Sequence, residues 1–445
     1  MGGAVCRACH AGNAGVLTSY RHVFHRPQAD RMHHDDWRAE ADRRSREHRH
    51  RSTLLTVTGP DGRPLAGARV RARLTEPDFR IGTCISAGRQ VADDAAGEAY
   101  RKTILAHFDA AVCENAMKWY ATEKERDVVD YSQGDATLAW CQAHGLPLRG
   151  HCLFWDKQKF AQPWVQALDA ADLRRRVFAR IADIAGRYRG RLSAWDVNNE
   201  LLDGGFFGGR LGEGIHAEMF QAAQAADPGV PLFVNEYGIL DNDEKMQRYV
   251  DLIARLRGQG APVGGIGIQE HAAERFVGDA AAGEAERDRP ERQGRGPLVI
   301  PEVWRRLDAL AAAGLPIHLT EISVKTPDPV RRADCLERFL RTAHAHPAVQ
   351  QFLVWGFWGG GHWLGWEATL VEPDFAPAEP MRRLIALRRE WTTDVELTAD
   401  AGGRIALAGW TGGYAITAAG LAGQWRLGRD TPAAGQVALS TAIAP

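Results

Sequence analysis

Two short apolar runs, each ending in glutamate, carry the residues best suited to chemistry. One is Ser193-Ala194-Trp195-Asp196-Val197-Asn198-Asn199-Glu200 and the other Pro316-Ile317-His318-Leu319-Thr320-Glu321. Each reads as a buried strand whose last residues emerge at its C-terminal end. Taken singly, such a Glu caps a strand or pairs with an Arg. Two carboxylates at the ends of two strands of one sheet are what cleavage of a glycosidic bond requires. Similar candidates recur along the chain: Glu114-Asn115 with Lys118-Trp119, Arg149-Gly150-His151 with Trp155, Asn235-Glu236-Tyr237, Gln269 with His271, and Trp355 with Trp358 and Trp363. A lone His on a strand is most often a satisfied core residue. Polar groups at the same end of seven strands outweigh that reading.

The elements that position them follow from a rhythm that begins at residue 79. Apolar strand candidates occupy 80–86, 110–118, 147–154, 193–199, 231–237, 264–270, 316–322 and 349–357. Helical patterns lie between them, such as Asp169–Tyr188, Gly214–Ala226, Lys245–Arg257, Val303–Ala313 and Val330–Ala343. Strands alternating with helices pair in parallel, and eight close into an α/β fold of the (β/α)8 TIM-barrel type. No glycine-rich phosphate loop follows the first strand, so a doubly wound open sheet fits less well. In a barrel, polar side chains at the C-terminal rim read as catalytic.

Four regions are expected: an N-terminal extension over 1–50, a β-hairpin over 51–78 leaning on the barrel, the barrel over 79–392 and a small antiparallel β appendage over 393–445. Residues 1–34 are expected to be a poorly ordered leader, and Asp35 to Arg51 a charged, solvated helix anchored by Trp37. The hairpin is read from two alternating runs, Leu54–Thr58 and Ala68–Leu74, around the turn residues Gly59-Pro60-Asp61-Gly62-Arg63-Pro64. The appendage is read from short alternating runs separated by glycines, with packing on the barrel favoured over sugar binding. Ala272 to Pro297, poor in bulky apolar residues, is expected to be an excursion on the active-site side.

Composition narrows the function. Net charge is −1 and charged residues make up 25%, which argues against nucleic acid or an anionic membrane as partner. No run of eighteen apolar residues is present, so no membrane span is expected, and the N-terminus shows no secretory pattern. Cys84, Cys113 and Cys152 fall in expected strands and Cys141 and Cys335 on helices, so buried thiols and no disulfide framework are expected. Cys6-Arg7-Ala8-Cys9-His10 has the haem-attachment spacing, but a five-residue match without an export signal carries little, and no cofactor is assigned. The fourteen Trp are unusual, and several sit beside strand-end polar residues, where flat faces suit sugar rings.

In order, Glu114–Trp119, Arg149-Gly150-His151, Trp195–Glu200, Asn235-Glu236-Tyr237, Gly265-Ile266-Gly267-Ile268-Gln269-Glu270-His271, Leu319-Thr320-Glu321 and Val354-Trp355-Gly356 resemble glycoside hydrolase family 10, the endo-β-1,4-xylanases, over roughly residues 79–392. The flanking β segments resemble its plant-type and related bacterial branch. The resemblance implies a retaining double displacement on xylan, with Glu200 as acid/base and Glu321 as nucleophile about 5–5.5 Å apart. The acid must stay protonated until the glycosyl-enzyme forms, helped by its neighbour's charge and partial burial. Asn199 is implied to bond the 2-hydroxyl of the sugar at the −1 subsite, and His271, near Gln269, to orient Glu321. Glu114, Asn115, Lys118 and His151 are implied to hold sugar hydroxyls, with Trp355 and Trp363 walling the −1 subsite and Trp155 adding an apolar face. The family implies secretion or a periplasmic location. This chain departs from the usual pattern at Ser323, where Asp is common, at Asn198, at Glu236 and in the Gly-Phe-Trp-Gly-Gly-Gly run after Trp355.

Three other readings compete. The same residues could transfer xylan chains to an acceptor sugar; the barrel could bind carbohydrate without cleaving it; or a metal-dependent hydrolase could use the sixteen His. Retention of both Glu200 and Glu321 argues against simple binding. Many of the His lie in residues 10–50 and form no strand-end pairs, so no metal is assigned.

Overall fold

The computed structural model describes residues 36–277 and 296–441. Cys6 to His10, the expected leader and most of the 272–297 excursion lie outside them. Eight strands form one parallel sheet that closes on itself: β1 (Arg80–Ile85), β2 (Ala110–Cys113), β3 (Leu148–Gly150), β4 (Ala194–Asn199), β5 (Leu232–Tyr237), β6 (Gly265–Glu270), β7 (Ile317–Ile322) and β8 (Val349–Val354). Closure comes where β8 pairs with β1, Gln351 opposite Arg80 and Val354 opposite Thr83. A two-residue strand, Phe154–Trp155, adds to β4 beyond the end of β3.

A helix follows each strand: α1 (Ala95–His107), α2 (Ser132–Ala143), α3 (Ala170–Arg187), α4 (Ile215–Ala226), α5 (Asp243–Gly258), α6 (Ile300–Ala311), α7 (Pro329–His344) and α8 (Glu379–Glu390). Four start on a side chain that accepts an otherwise unpaired backbone N–H: Asp94, Asp169, Asn242 and Asp328. Helices cover the outer face of the sheet and side chains fill its inside, so the strands read as continuous apolar runs. No helix among the described residues is long and apolar enough to cross a membrane. The five described cysteines are buried free thiols; Cys152 lies just past β3 rather than within it.

The expected N-terminal hairpin is corrected. Its turn forms, with Gly59 N–H donating to Arg63 O (2.9 Å) and Leu65 N–H to Val57 O (2.9 Å). Beyond the turn, however, the two strands enter different sheets. His50–Thr58 pairs antiparallel with Arg404–Trp410 and parallel with Ala434–Ala438. Arg69–Pro77 pairs antiparallel with Asp394–Thr398 and Gly412–Ala418. The physical reason is burial: a lone hairpin covers neither apolar face. Split between sheets, Leu55 and Val57 are buried with Ile405 and Leu407, and Val70 and Ala72 with Tyr414 and Ile416. One ladder of the expected antiparallel appendage is therefore parallel.

The expected charged helix is Asp36–Arg49, with Trp37 buried. Its last residue, Arg49, is itself buried and donates to the carbonyls of His344 (2.6 Å), His346 (2.8 Å) and Val349. These carbonyls lie at the end of α7 and the start of β8, at the N-terminal face of the barrel. Arg49→Met removes this shared donor, and we expect a loss of about 3 kcal/mol of stability with little change at the opposite mouth. Denaturant unfolding measures the first and activity per folded molecule the second.

Candidate active site

Both glutamates lie at the C-terminal mouth. Glu321 is the fifth residue of β7, and Glu200 follows the last residue of β4. Glu200 adopts φ +61°, unusual for a non-glycine residue, while its N–H donates to Asn235 O (2.9 Å). The turn beyond it is held by Asp156, fully buried, whose carboxylate accepts from Gly205 N–H (3.0 Å) and Phe207 N–H (2.8 Å). A Cβ on Gly204 would come within 2.6 Å of Asp156 O, so this close approach requires glycine.

One carboxamide bridges the two strand ends. Asn235, on β5, donates from Nδ2 to Glu321 Oε1 (2.8 Å) and to Asn199 Oδ1 (3.0 Å). Its own oxygen accepts from Thr320 Oγ1 (2.6 Å), which fixes the amide's orientation. Gln269 Nε2 also donates to Asn199 Oδ1 (3.0 Å). A Cβ on Gly267 would sit 2.5 Å from Asn235 Oδ1, so β6 must carry glycine for this amide to lie where it does.

The surroundings of the two carboxylates differ. Glu321 Oε1 lies 3.7 Å from His151 Nε2 and its Oε2 3.4 Å from His271 Nε2. Burial alone would raise the Glu321 carboxyl, but His151, His271 and Lys118 outweigh it and hold the group below its ordinary value. His151 is aimed by a buried acid: its Nδ1 donates to Asp196 Oδ2 (2.9 Å), and Arg149 binds the same carboxylate through two nitrogens. Burial opposes the charge on Asp196, yet Arg149 and His151 bring it down to about 2. His271 Nδ1 is 3.1 Å from Ser323 Oγ, an uncharged hydroxyl partner. Glu200 Oε2 lies 2.6 Å from Lys157 Nζ.

The remaining expected residues gather around this pair. Lys118, buried, donates to Asn115 Oδ1 (3.2 Å) and places its ammonium 4.7 Å from the Trp155 ring centre and 5.8 Å from that of Trp355. Trp155 stacks on Phe160 at 3.5 Å, so one of its faces is already covered. Trp355 packs edge-on to His151 (5.2 Å), and Trp363, 53% exposed, packs edge-on to His271 (4.9 Å). Glu114 is half-buried beside Lys118, and burial raises its carboxyl. Three contributors went unassigned in the sequence: Asn235, Asp196 and Lys157. The first two sit in the strand-end motifs, where their residue types were visible without their partners. Lys157 is a loop cation with no spacing signal.

The geometry defines a class: a closed (β/α)8 barrel with carboxylates at the ends of two strands at its C-terminal mouth, where barrel enzymes carry their chemistry. The chain belongs to glycosyl hydrolase family 10, whose description matches residues 71–379. It is 36% identical over 381 residues to the anti-sigma-I factor RsgI6 of Acetivibrio thermocellus, covering 86% of this chain and 46% of that protein. It is 35% identical over 377 residues to endo-1,4-beta-xylanase 1 of Arabidopsis thaliana, covering 83% and 36%. The chain thus spans less than half the length of either curated relative. Among solved structures, native xylanase 10B of Thermotoga maritima superposes with a TM-score of 0.61 at 22% identity, over 70% of this chain and 95% of that one. The Thermobacillus composti GH10 xylanase superposes with a TM-score of 0.54 at 27% identity, over 69% and 96%.

Proposed function

We propose that this protein is a retaining endo-β-1,4-xylanase in which Glu321 is the nucleophile and Glu200 the acid/base. The observation that carries the reading is the asymmetry of the two carboxylates. Glu321 is encircled by Asn235, His151 and His271, which favour the ionised form a nucleophile needs, while Glu200 contacts the loop residue Lys157. In the first half-reaction a Glu321 oxygen bonds to the anomeric carbon as the glycosidic C–O bond breaks, and Glu200 gives its proton to the departing oxygen. In the second, water attacks that carbon, its proton passes to the Glu200 carboxylate, and Glu321 leaves as carboxylate. Asn199, its oxygen held by Asn235 and Gln269, keeps Nδ2 as the end that donates to the sugar 2-hydroxyl. The xylanases among the relatives and structural neighbours support xylan as substrate. Xylose lacks the hydroxymethyl arm of glucose, so a −1 subsite crowded by Trp355 selects it by exclusion.

The test is hydrolysis of xylan, cellulose and mixed-linkage glucan side by side, with the anomeric form of the first product followed by NMR. Preference for xylan with β-product first supports the reading; α-product first, or faster cleavage of a glucan, rejects it. The pH profile gives a second check. Glu321 must be ionised to attack and is held below the ordinary range of a glutamate by His151, His271 and Lys118. On the acid side kcat/KM is therefore expected to persist down to that region and fall only below it, as protonation of Glu321 removes the nucleophile.

A further inference from the structure

Lys157 has no place in the mechanism above, yet it makes the shortest polar contact to Glu200. It lies in the loop just past Phe154–Trp155, and its Nζ, 2.6 Å from Glu200 Oε2, also donates to Tyr237 OH (3.2 Å). The ammonium stands 4.7 Å from the Tyr237 ring centre, and both side chains of the pair are shielded, at 19% and 9% exposure. Burial disfavours the charge on Lys157, but Glu200 and then Tyr237 more than offset this and raise its affinity for the proton.

The other charged groups near Glu200 are arranged around this contact. Tyr237 also bonds Asp203, which pairs with Lys245 at 2.5 Å. Lys245 lies 3.4 Å from Glu236 Oε1 and 3.5 Å from the Tyr237 ring centre. Glu236 is buried, accepts from Leu202 N–H (2.9 Å), and is pushed up to about 7 chiefly by burial. Glu321 keeps its own partners, His151, His271 and Lys118. Among these groups Lys157 is the cation in direct contact with Glu200.

A carboxyl with two duties is sensitive to such a neighbour. Glu200 donates a proton in the first half-reaction and accepts one in the second. Once the sugar is esterified to Glu321, that group no longer carries negative charge, and an ammonium in contact becomes the dominant influence on Glu200. We propose that Lys157 is a positioning residue for the proton-handling carboxyl, bridging Glu200 to Tyr237 and supporting the carboxylate that serves as base in the second half-reaction. This inference rests on the acid/base reading of Glu200.

Lys157→Met and Lys157→Arg in the full chain test it with two substrates. A 2,4-dinitrophenyl xylobioside needs no proton for departure, so its kcat reports the second half-reaction. Xylopentaose needs the proton, so the high-pH limb of its kcat/KM reports the acid. In Lys157→Met, the dinitrophenyl kcat should fall about tenfold, and the xylopentaose limb should move to higher pH. Lys157→Arg should restore both. Because burial pushes Glu236 up to about 7, the limb shift must persist in a Glu236→Gln background. An unmoved limb, or an equal loss on both substrates at every pH with arginine giving no rescue, overturns the proposal. Absence of wild-type activity on both substrates instead overturns the acid/base reading itself.

Discussion

Glu321→Ala is expected to lower xylan hydrolysis on the order of 10⁵-fold without unfolding the chain. Nothing else in the mouth can supply the bond to carbon. His151 is turned toward Asp196 through Nδ1, Asn235 presents a donor, and His271 holds Ser323 through its other nitrogen. Of the other carboxyls at the mouth, Glu200 is bound to the loop residue Lys157 and Glu114 lies half-buried beside Lys118. Truncation also leaves a hollow lined by donors and imidazoles, suited to a small anion. Added azide should therefore attack the anomeric carbon of an activated xylobioside from the side that Glu321 occupies and yield the α-xylobiosyl azide. NMR of that product separates loss of the nucleophile from general damage. Residual activity above a tenth of wild type would assign the nucleophile elsewhere, and a β-azide would exchange the two roles.

What the sequence discloses about this site follows from how strands are buried. The barrel strands are apolar on both faces because helices cover one side and packed side chains the other, so each stands out as a short continuous run. β4, β5, β6 and β7 carry their site residues in or next to their last positions, because at the rim water and a ligand replace the core. β2 stops at Cys113 rather than continuing to Lys118: from Glu114 onward the chain turns across the mouth, and Lys118 reaches Asn115 and Trp155 from that turn. The outer β strands were legible as strands but not as pairs. Alternation tells which face of His50–Thr58 is apolar; it does not tell that the partners lie at Arg404–Trp410 and Ala434–Ala438, more than three hundred residues on. Lys157 escaped for a related reason. A cation in a loop is ordinarily solvated, and only the fold brings it against Glu200.

Glu200→Gln is the complementary case, and its expected effect depends on the leaving group. Glutamine keeps an oxygen that can accept from Lys157 and tolerates the same backbone position no worse than glutamate, so the site should remain assembled. What is lost is the proton. On xylan or xylopentaose, where the departing sugar oxygen must be protonated, the rate should drop about 10³-fold. On the dinitrophenyl xylobioside the first half-reaction needs no acid and should proceed, but water then lacks its base. The glycosyl-enzyme should accumulate, giving a rapid burst of dinitrophenolate followed by slow turnover, with a mass increase of one xylobiosyl unit on Glu321. Azide, which needs no base, should bypass the block in Glu200→Ala, where truncation makes room, and form the β-xylobiosyl azide. The opposite anomers expected from the two variants are the most direct readout of which carboxylate faces which side of the sugar ring. If both variants gave the same anomer, or if Glu200→Gln lost activity equally on both substrates, Glu200 would be a structural residue and the proton would have to come from another group.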